Sequence, residues 1–282
     1  MRELRGYQVE PFDGNRQMVA ASAAVGRHAN TIHLVTEVDI TEPRRLIGEH
    51  RESTGETLSL TGYVVTCLAR TMGEFPGFNS FRKGNRLIVL DDVTISVLFE
   101  REIDGESVPE PVGIRTVNRK TFRQVNDELR TVQQRSVQRL GSESGTAWIR
   151  YIPGFLLRVF IRMAAGNVSM QKRFGVVGVT AIGMFGSGPT WIVPLTSATV
   201  TVAVGAIARR VALIHDNPQE REHLCLTVSF DHEIVDGAPA ARFTSRLGDL
   251  LSSGDEIREL MGAPTSMSQC DVVEETLEHE VR

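Results

Sequence analysis

Cysteine is scarce in this chain: three thiols among 282 residues, Cys67, Cys225 and Cys270, an odd number with no Cys-x-x-Cys spacing. That excludes a disulfide-stapled scaffold and a cysteine zinc site. No histidine pair falls at helical metal-ligand spacing with a carboxylate, so no metal is expected. An excess of charge is missing as well. The 31 Lys+Arg nearly balance the 35 Asp+Glu, for a net charge of −4. A basic footprint for nucleic acid is therefore absent, and no nucleic-acid partner is expected. Met1-Arg-Glu-Leu-Arg-Gly6 is followed by no apolar run. No secretory signal is expected, and the expected compartment is the cytoplasm. The glycine-rich stretch 175–188 lacks a Lys-Ser/Thr pair, which excludes a nucleotide-binding loop.

What is present is an ordinary globular balance, 41% apolar and 23% charged residues, in a chain long enough to bury a large core. Residues 175–208 carry no formal charge, long enough to suggest a membrane span. Gly175, Gly178, Gly183, Gly186, Gly188, Pro189, Pro194 and Gly205 break them into short pieces, of which Val176-Val177, Val179-Thr180 and Thr199 to Val204 are read as strands buried in a sheet. Apolar spacing predicts helices over 14–29, 41–53, 59–72, 120–140 and 237–252. Asp13 or Asn15 is the expected cap of the first, and Thr41 opens the second in a capping-box pattern with Pro43 in its first turn. Strands are expected at 33–40, 78–81, 87–90 and 93–99, and again between 176 and 230. The fold class is mixed α/β, an α+β two-layer arrangement with helices laid on one sheet. A single domain over 1–262 is expected, followed by an acidic tail, 263–282, too poor in large apolar residues to order itself.

The most informative run is Leu226-Thr-Val-Ser-Phe-Asp-His-Glu-Ile-Val-Asp-Gly-Ala-Pro-Ala-Ala-Arg-Phe243. Physically, a strand ends at Asp231-His232 and a short turn leads through Gly237 into an Ala-rich helix. A histidine at a strand end is well placed to act as a base in a cleft. Asp236 can cap that helix or anchor the turn, and Gly237 permits close backbone approach. On composition alone, a lone turn histidine reads more readily as structural.

The full string resembles the His-x-x-x-Asp-Gly signature of the chloramphenicol acetyltransferase-like fold. Within that fold it is most similar to the catalytic domain of the dihydrolipoamide acyltransferases of 2-oxoacid dehydrogenase complexes. Gly6-Tyr7 and Arg16 resemble that family's opening, His33 to Asp39 its first core strand, and Leu60 to Asn79 a helix ending in a Pro-x-x-Asn element. Thr180-Ala-Ile-Gly-Met-Phe-Gly186 is similar to its Thr-x-(Ser/Thr)-x-x-Gly-x-x-Gly strand. The resemblance implies that His232 is the general base for an incoming thiol, hydroxyl or amine attacking a thioester. It implies that Thr180 donates to the oxyanion, and that Asp236 holds the histidine loop through an ion pair with an N-terminal arginine, for which Arg16 is the candidate. It also implies a homotrimer with the active site between subunits.

Three departures qualify the resemblance. No lipoyl domain fits into residues 1–15. Glu233 stands where the family has a basic residue. The insert 148–172 brings a basic amphipathic helix, with Arg150, Arg158 and Arg162 at multiples of four among Leu156, Leu157, Val159, Phe160 and Ile161. It is read as a packed surface helix with snorkelling arginines, as a lid for an acyl or acceptor group, or, least favoured, as a membrane-surface contact. The leading expectation is a stand-alone acyltransferase using acyl-CoA, with no covalently bound cofactor, lipoamide disfavoured and the acceptor unassigned. The alternatives are a dihydrolipoamide acyltransferase served by a separate lipoyl carrier, and a catalytically silent trimeric scaffold. Because the acidic tail replaces an apolar C-terminal anchor, an isolated trimer is expected rather than a cubic or dodecahedral shell.

Overall fold

The computed structural model describes residues 12, 14–103, 106–138, 154–182, 188–214 and 216–262. Helix α1 (Gly14–Gly26) leads into β1 (Thr31–Asp39), then α2 (Thr41–Thr54) and α3 (Leu60–Glu74). A small hairpin of β2 (Ser80–Lys83) and β3 (Arg86–Val89) precedes β4 (Ile95–Ile103) and β5 (Glu106–Ile114). Helices α4 (Phe122–Gln138), α5 (Gly154–Ala165) and α6 (Val168–Phe174) follow. The chain then runs through β6 (Val177–Ala181), β7 (Val200–Ile214), β8 (Asn217–Asp231), α7 (Gly237–Ser253) and α8 (Asp255–Met261). The large sheet has the order β1-β8-β7-β6-β4-β5, parallel at β4–β6 and β6–β7 and antiparallel elsewhere.

The sheet's centre is buried on both faces, which explains the lack of charge at both ends of the uncharged run, in β6 and the start of β7. Every residue from Val200 to Gly205 of β7 and from Leu224 to Phe230 of β8 is buried. On one face Leu224, Leu226, Val228 and Phe230 join a single core with Tyr63 and Leu68 of α3 and Phe243 and Leu247 of α7. The other face carries the smaller Thr201, Ala203, Cys225 and Thr227 and is covered by the extended segment 188–199. Trp191 Nε1 donates to the Thr36 carbonyl at 3.0 Å, and Ala206 N–H donates to Thr190 O at 3.0 Å. That crossing requires glycine at 205, where a Cβ would lie 2.1 Å from Thr190 O. Among the described residues no helix is long and apolar enough to cross a membrane.

Most predicted elements form close to their expected bounds, and the exceptions have physical causes. Strand β5, Glu106–Ile114, was not among the expected strands and carries Pro109 and Pro111. It is an edge strand, where missing ladder donors are tolerated. The capping box at Thr41 does not form. Ile40 is the cap position, without a side-chain cap, while Asp39 Oδ1 accepts from Thr41 N–H at 2.9 Å and from its hydroxyl at 2.6 Å. The insert is two helices rather than one: Asn167 restarts the chain by accepting from the N–H groups of Ser169 and Met170. A separate α8 follows Gly254, whose φ of +75° breaks the last helix. The tail and the expected Asp13 cap lie outside the described residues.

Candidate active site

Four phenylalanines fix where the histidine turn stands. Phe230 is the penultimate residue of β8 and Phe243 lies in α7, so the turn between them is held at both ends. Their rings meet edge-to-face at 5.5 Å, and Phe78 stacks on Phe243 at 5.1 Å with Phe75 packed beside it. Backbone bonds complete the turn. Asp231 N–H donates to Thr199 O, and the N–H groups of Ile234 and Val235 both donate to Asp231 O at 3.0 and 2.9 Å. His232 N–H donates to Asn30 O at 2.6 Å, just before β1.

His232 Nδ1 lies 3.1 Å from the Val235 carbonyl oxygen. A carbonyl can only accept, so Nδ1 carries the proton and Nε2 presents a free lone pair. The side chain is 46% exposed in the single chain, so Nε2 is reachable from solvent. This is the tautomer a general base needs.

Asp236 occupies the cap position of α7 but makes no side-chain cap bond. Its carboxylate is 87% exposed and lies 3.8 Å from His232 Nδ1. Arg16, the expected partner of Asp236, is an exposed residue of α1, and the described structure sets the Asp236 carboxylate beside the imidazole. Nor does Gly237 serve a close approach, since a Cβ there would meet nothing within 4 Å.

Glu233, the charge reversal, is neutralised in place. Its carboxylate accepts from Arg82 Nη1 at 2.6 Å and from Asn30 Nδ2 at 3.1 Å. The negative charge is drawn towards β2. Sequence reasoning missed both partners, because β1 pairing with β8 brings Asn30 to the turn and hairpin β2–β3 brings Arg82. Asp231 is half-buried, and that burial pushes its carboxyl pKa up; Glu233 adds to the shift, while the Glu233 N–H it accepts opposes it.

Thr180 stands elsewhere. On β6 it pairs with Ala203, which pairs with Thr227 of β8. From Thr227 to His232 is five residues along the strand direction, and β6 lies two strands from β8. With ~3.3 Å per residue and ~4.8 Å per strand, the two side chains are on the order of 19 Å apart within one chain. They cannot reach one carbonyl from the same subunit. Thr180 is half-buried, and its hydroxyl makes no hydrogen bond among the described residues.

A cleft of about 730 Å³ opens beside the turn, lined by Asp231, Glu233 and Ile234, by α1 at Val25, and by α5 at Val159 and Arg162. Helix α5 packs Leu157 and Ile161 against Ala21 and Met18 of α1. It leaves Leu156, Val159, Phe160 and Met163 exposed, so only one stripe of its apolar surface is covered. Arg150 and the segment before α5 lie outside the described residues. No group of three metal-ligating side chains occurs among the described residues.

The chain is similar over most of its length to known acyltransferase cores. It is 23% identical over 253 residues to the lipoamide acyltransferase component of the branched-chain alpha-keto acid dehydrogenase complex of Bacillus subtilis, covering 87% of this chain and 52% of that protein. It is 27% identical over 206 residues to the dihydrolipoyllysine-residue acetyltransferase component of the pyruvate dehydrogenase complex of Azotobacter vinelandii, covering 71% of this chain and 27% of the relative. The chain thus spans about half or less of the length of these relatives. Its fold matches the cubic core of the pyruvate dehydrogenase multienzyme complex, with a TM-score of 0.67 at 20% identity over 89% of this chain and 93% of that one. The sequence profile of the 2-oxoacid dehydrogenases acyltransferase catalytic domain matches residues 5–144 and 167–260, leaving out 145–166, where α5 lies. With most of its residues inside that profile and its sheet in the matching fold, the chain belongs to the 2-oxoacid dehydrogenases acyltransferase (catalytic domain) family.

Proposed function

We propose that this chain is an acyltransferase that moves an acyl group between coenzyme A and a lipoyl thiol borne by a separate carrier. The observation that carries the reading is His232, whose Nδ1 is tied to the Val235 carbonyl so that Nε2 is free to take a proton. The relatives named above are lipoamide and dihydrolipoyllysine acyltransferases, which favours a lipoyl carrier over the stand-alone use of acyl-CoA expected from the sequence. The clamp of Glu233 by Arg82 and Asn30 also removes an objection, because the reversed charge is neutralised beside the base.

In the proposed reaction the attacking thiol gives its proton to His232 Nε2 as its sulfur adds to the thioester carbonyl. The carbonyl oxygen becomes an oxyanion that accepts a hydrogen bond from Thr180. The tetrahedral species collapses, the leaving thiolate takes the proton back from Nε2, and no acyl-enzyme forms. Because Thr180 and His232 lie far apart within one chain, the two act together across a subunit boundary. A homotrimer supplies that boundary three times, each site pairing His232 of one subunit with Thr180 of the next. Asp236, exposed beside Nδ1, would stabilise the imidazolium that forms.

The test is acetyl transfer from acetyl-CoA to dihydrolipoamide, with mass detection of the product. His232→Ala is expected to lose about 10²–10⁴ in kcat, and Thr180→Ala about 10²–10³. Equal amounts of the two variants, mixed under conditions that exchange subunits, should recover part of the activity. Undiminished turnover in an intact His232→Ala oligomer, or a light-scattering mass of a single 31.1-kDa chain at full activity, would overturn the proposal.

A further inference from the structure

Helix α5 lies where the chain departs from its family, in the stretch 145–166 left out by the family profile. By packing Leu157 and Ile161 on α1 it becomes one wall of the cleft beside the histidine turn. The cleft, about 730 Å³, falls within the range of small-molecule sites. Its walls are apolar at Val25, Phe81, Val159, Val176 and Ile234. Two guanidinium groups line it. Arg82 is committed to Glu233, but Arg162 makes no ion pair or hydrogen bond among the described residues.

An uncommitted guanidinium on an apolar wall suits a carboxylate carried on a hydrocarbon body. One guanidinium balances a single charge, so a monocarboxylate fits better than a phosphate bearing nearly two. We infer that the cleft binds an amphipathic monocarboxylate, with its carboxylate on Arg162 and its chain along Val159, Val25 and Phe81. Arg82, the other guanidinium of the lining, is taken up by Glu233, which leaves Arg162 as the cation that meets the carboxylate. An occupant of the cleft touches Ile234, within the turn that holds the base. The inference rests on the cleft itself and needs no turnover.

Titration calorimetry of the full chain with sodium octanoate tests it. Saturable binding at one site per chain is expected, weakened about tenfold or more in Arg162→Gln, since a charge-assisted hydrogen bond is worth roughly that factor. Val159→Trp should weaken it comparably by filling the wall, and octylamine should bind at least about tenfold less tightly than octanoate. Absence of octanoate binding to the wild type, unchanged affinity in Arg162→Gln, or octylamine binding as tightly would each overturn the inference. Because the readout is binding, a chain inactive in acyl transfer still decides the question.

Discussion

Replacing Glu233 with arginine would restore the basic residue that the resemblance leads one to expect, yet the structure predicts that it destabilises this chain. Glu233 sits between Arg82 Nη1 at 2.6 Å and Asn30 Nδ2 at 3.1 Å, with side chains 39% exposed for Glu233 and 55% for Arg82. At that exposure solvent screening holds the ion pair to roughly 0.5 kcal/mol. The substitution also faces one guanidinium with another, a like-charge penalty of about the same size, and removes the acceptor of Asn30, worth about 0.5–1 kcal/mol. Glu233→Arg should therefore cost about 1.5–2 kcal/mol, a fall in Tm of roughly 3–8 °C for a domain of this size. The exchange Arg82→Glu/Glu233→Arg should recover the electrostatic part. Urea denaturation of wild type, both single variants and the double variant gives the coupling energy, expected near 0.5–1 kcal/mol. Turnover should fall only a few-fold, because the Nδ1 bond to Val235 does not involve Glu233. A Tm that rises in Glu233→Arg, or a coupling energy indistinguishable from zero, would refute the reasoning.

Two further outcomes follow from the packing and the charges. Phe243→Ala removes a fully buried ring from the cluster behind the turn and should cost about 3–5 kcal/mol by denaturation; kcat should fall further than for a core variant remote from the turn. Acidification should weaken the fold through Glu56 and Glu42. The His50 hydrogen bond holds the Glu56 carboxyl below its ordinary value, and the Arg45 hydrogen bond does so for Glu42. A depressed folded-state pKa contributes stability above the unfolded pKa and loses it as pH falls through the folded one, so Tm should drop below about pH 4.5. Glu56→Gln should flatten part of that slope, and an identical pH profile would argue against the pair.

Much of the fold was legible because local patterns coincided with tertiary demands. The helix expected at 59–72 appears as α3, with Ser59 accepting from Gly62 N–H at its cap. The two ends of the uncharged stretch, at 176–180 and 199–204, were read as buried strands and form β6 and the start of β7, because the glycines and prolines between them break a membrane helix. Strand β5 was not expected; it carries Pro109 and Pro111, which its edge position makes harmless. In the site, His232 was found from its string, but its tautomer depends on a carbonyl three residues away whose direction only the folded turn sets. The Arg16–Asp236 pair was inferred by resemblance, whereas the placement of Asp236 beside His232 Nδ1 had no signal in the sequence. Asn30 and Arg82 gave no signal at all, since they reach Glu233 across 203 and 151 residues of sequence.

The sequence alone therefore determined the family, the mixed α/β class and the candidate base, because periodicity and a contiguous signature are properties of neighbouring residues. Only the tertiary structure decided which nitrogen of His232 is free, what neutralises Glu233, and that Thr180 and His232 stand far apart within one chain. Those depend on strand register and on the directions in which distant elements approach, and neither is written into any local run of residues.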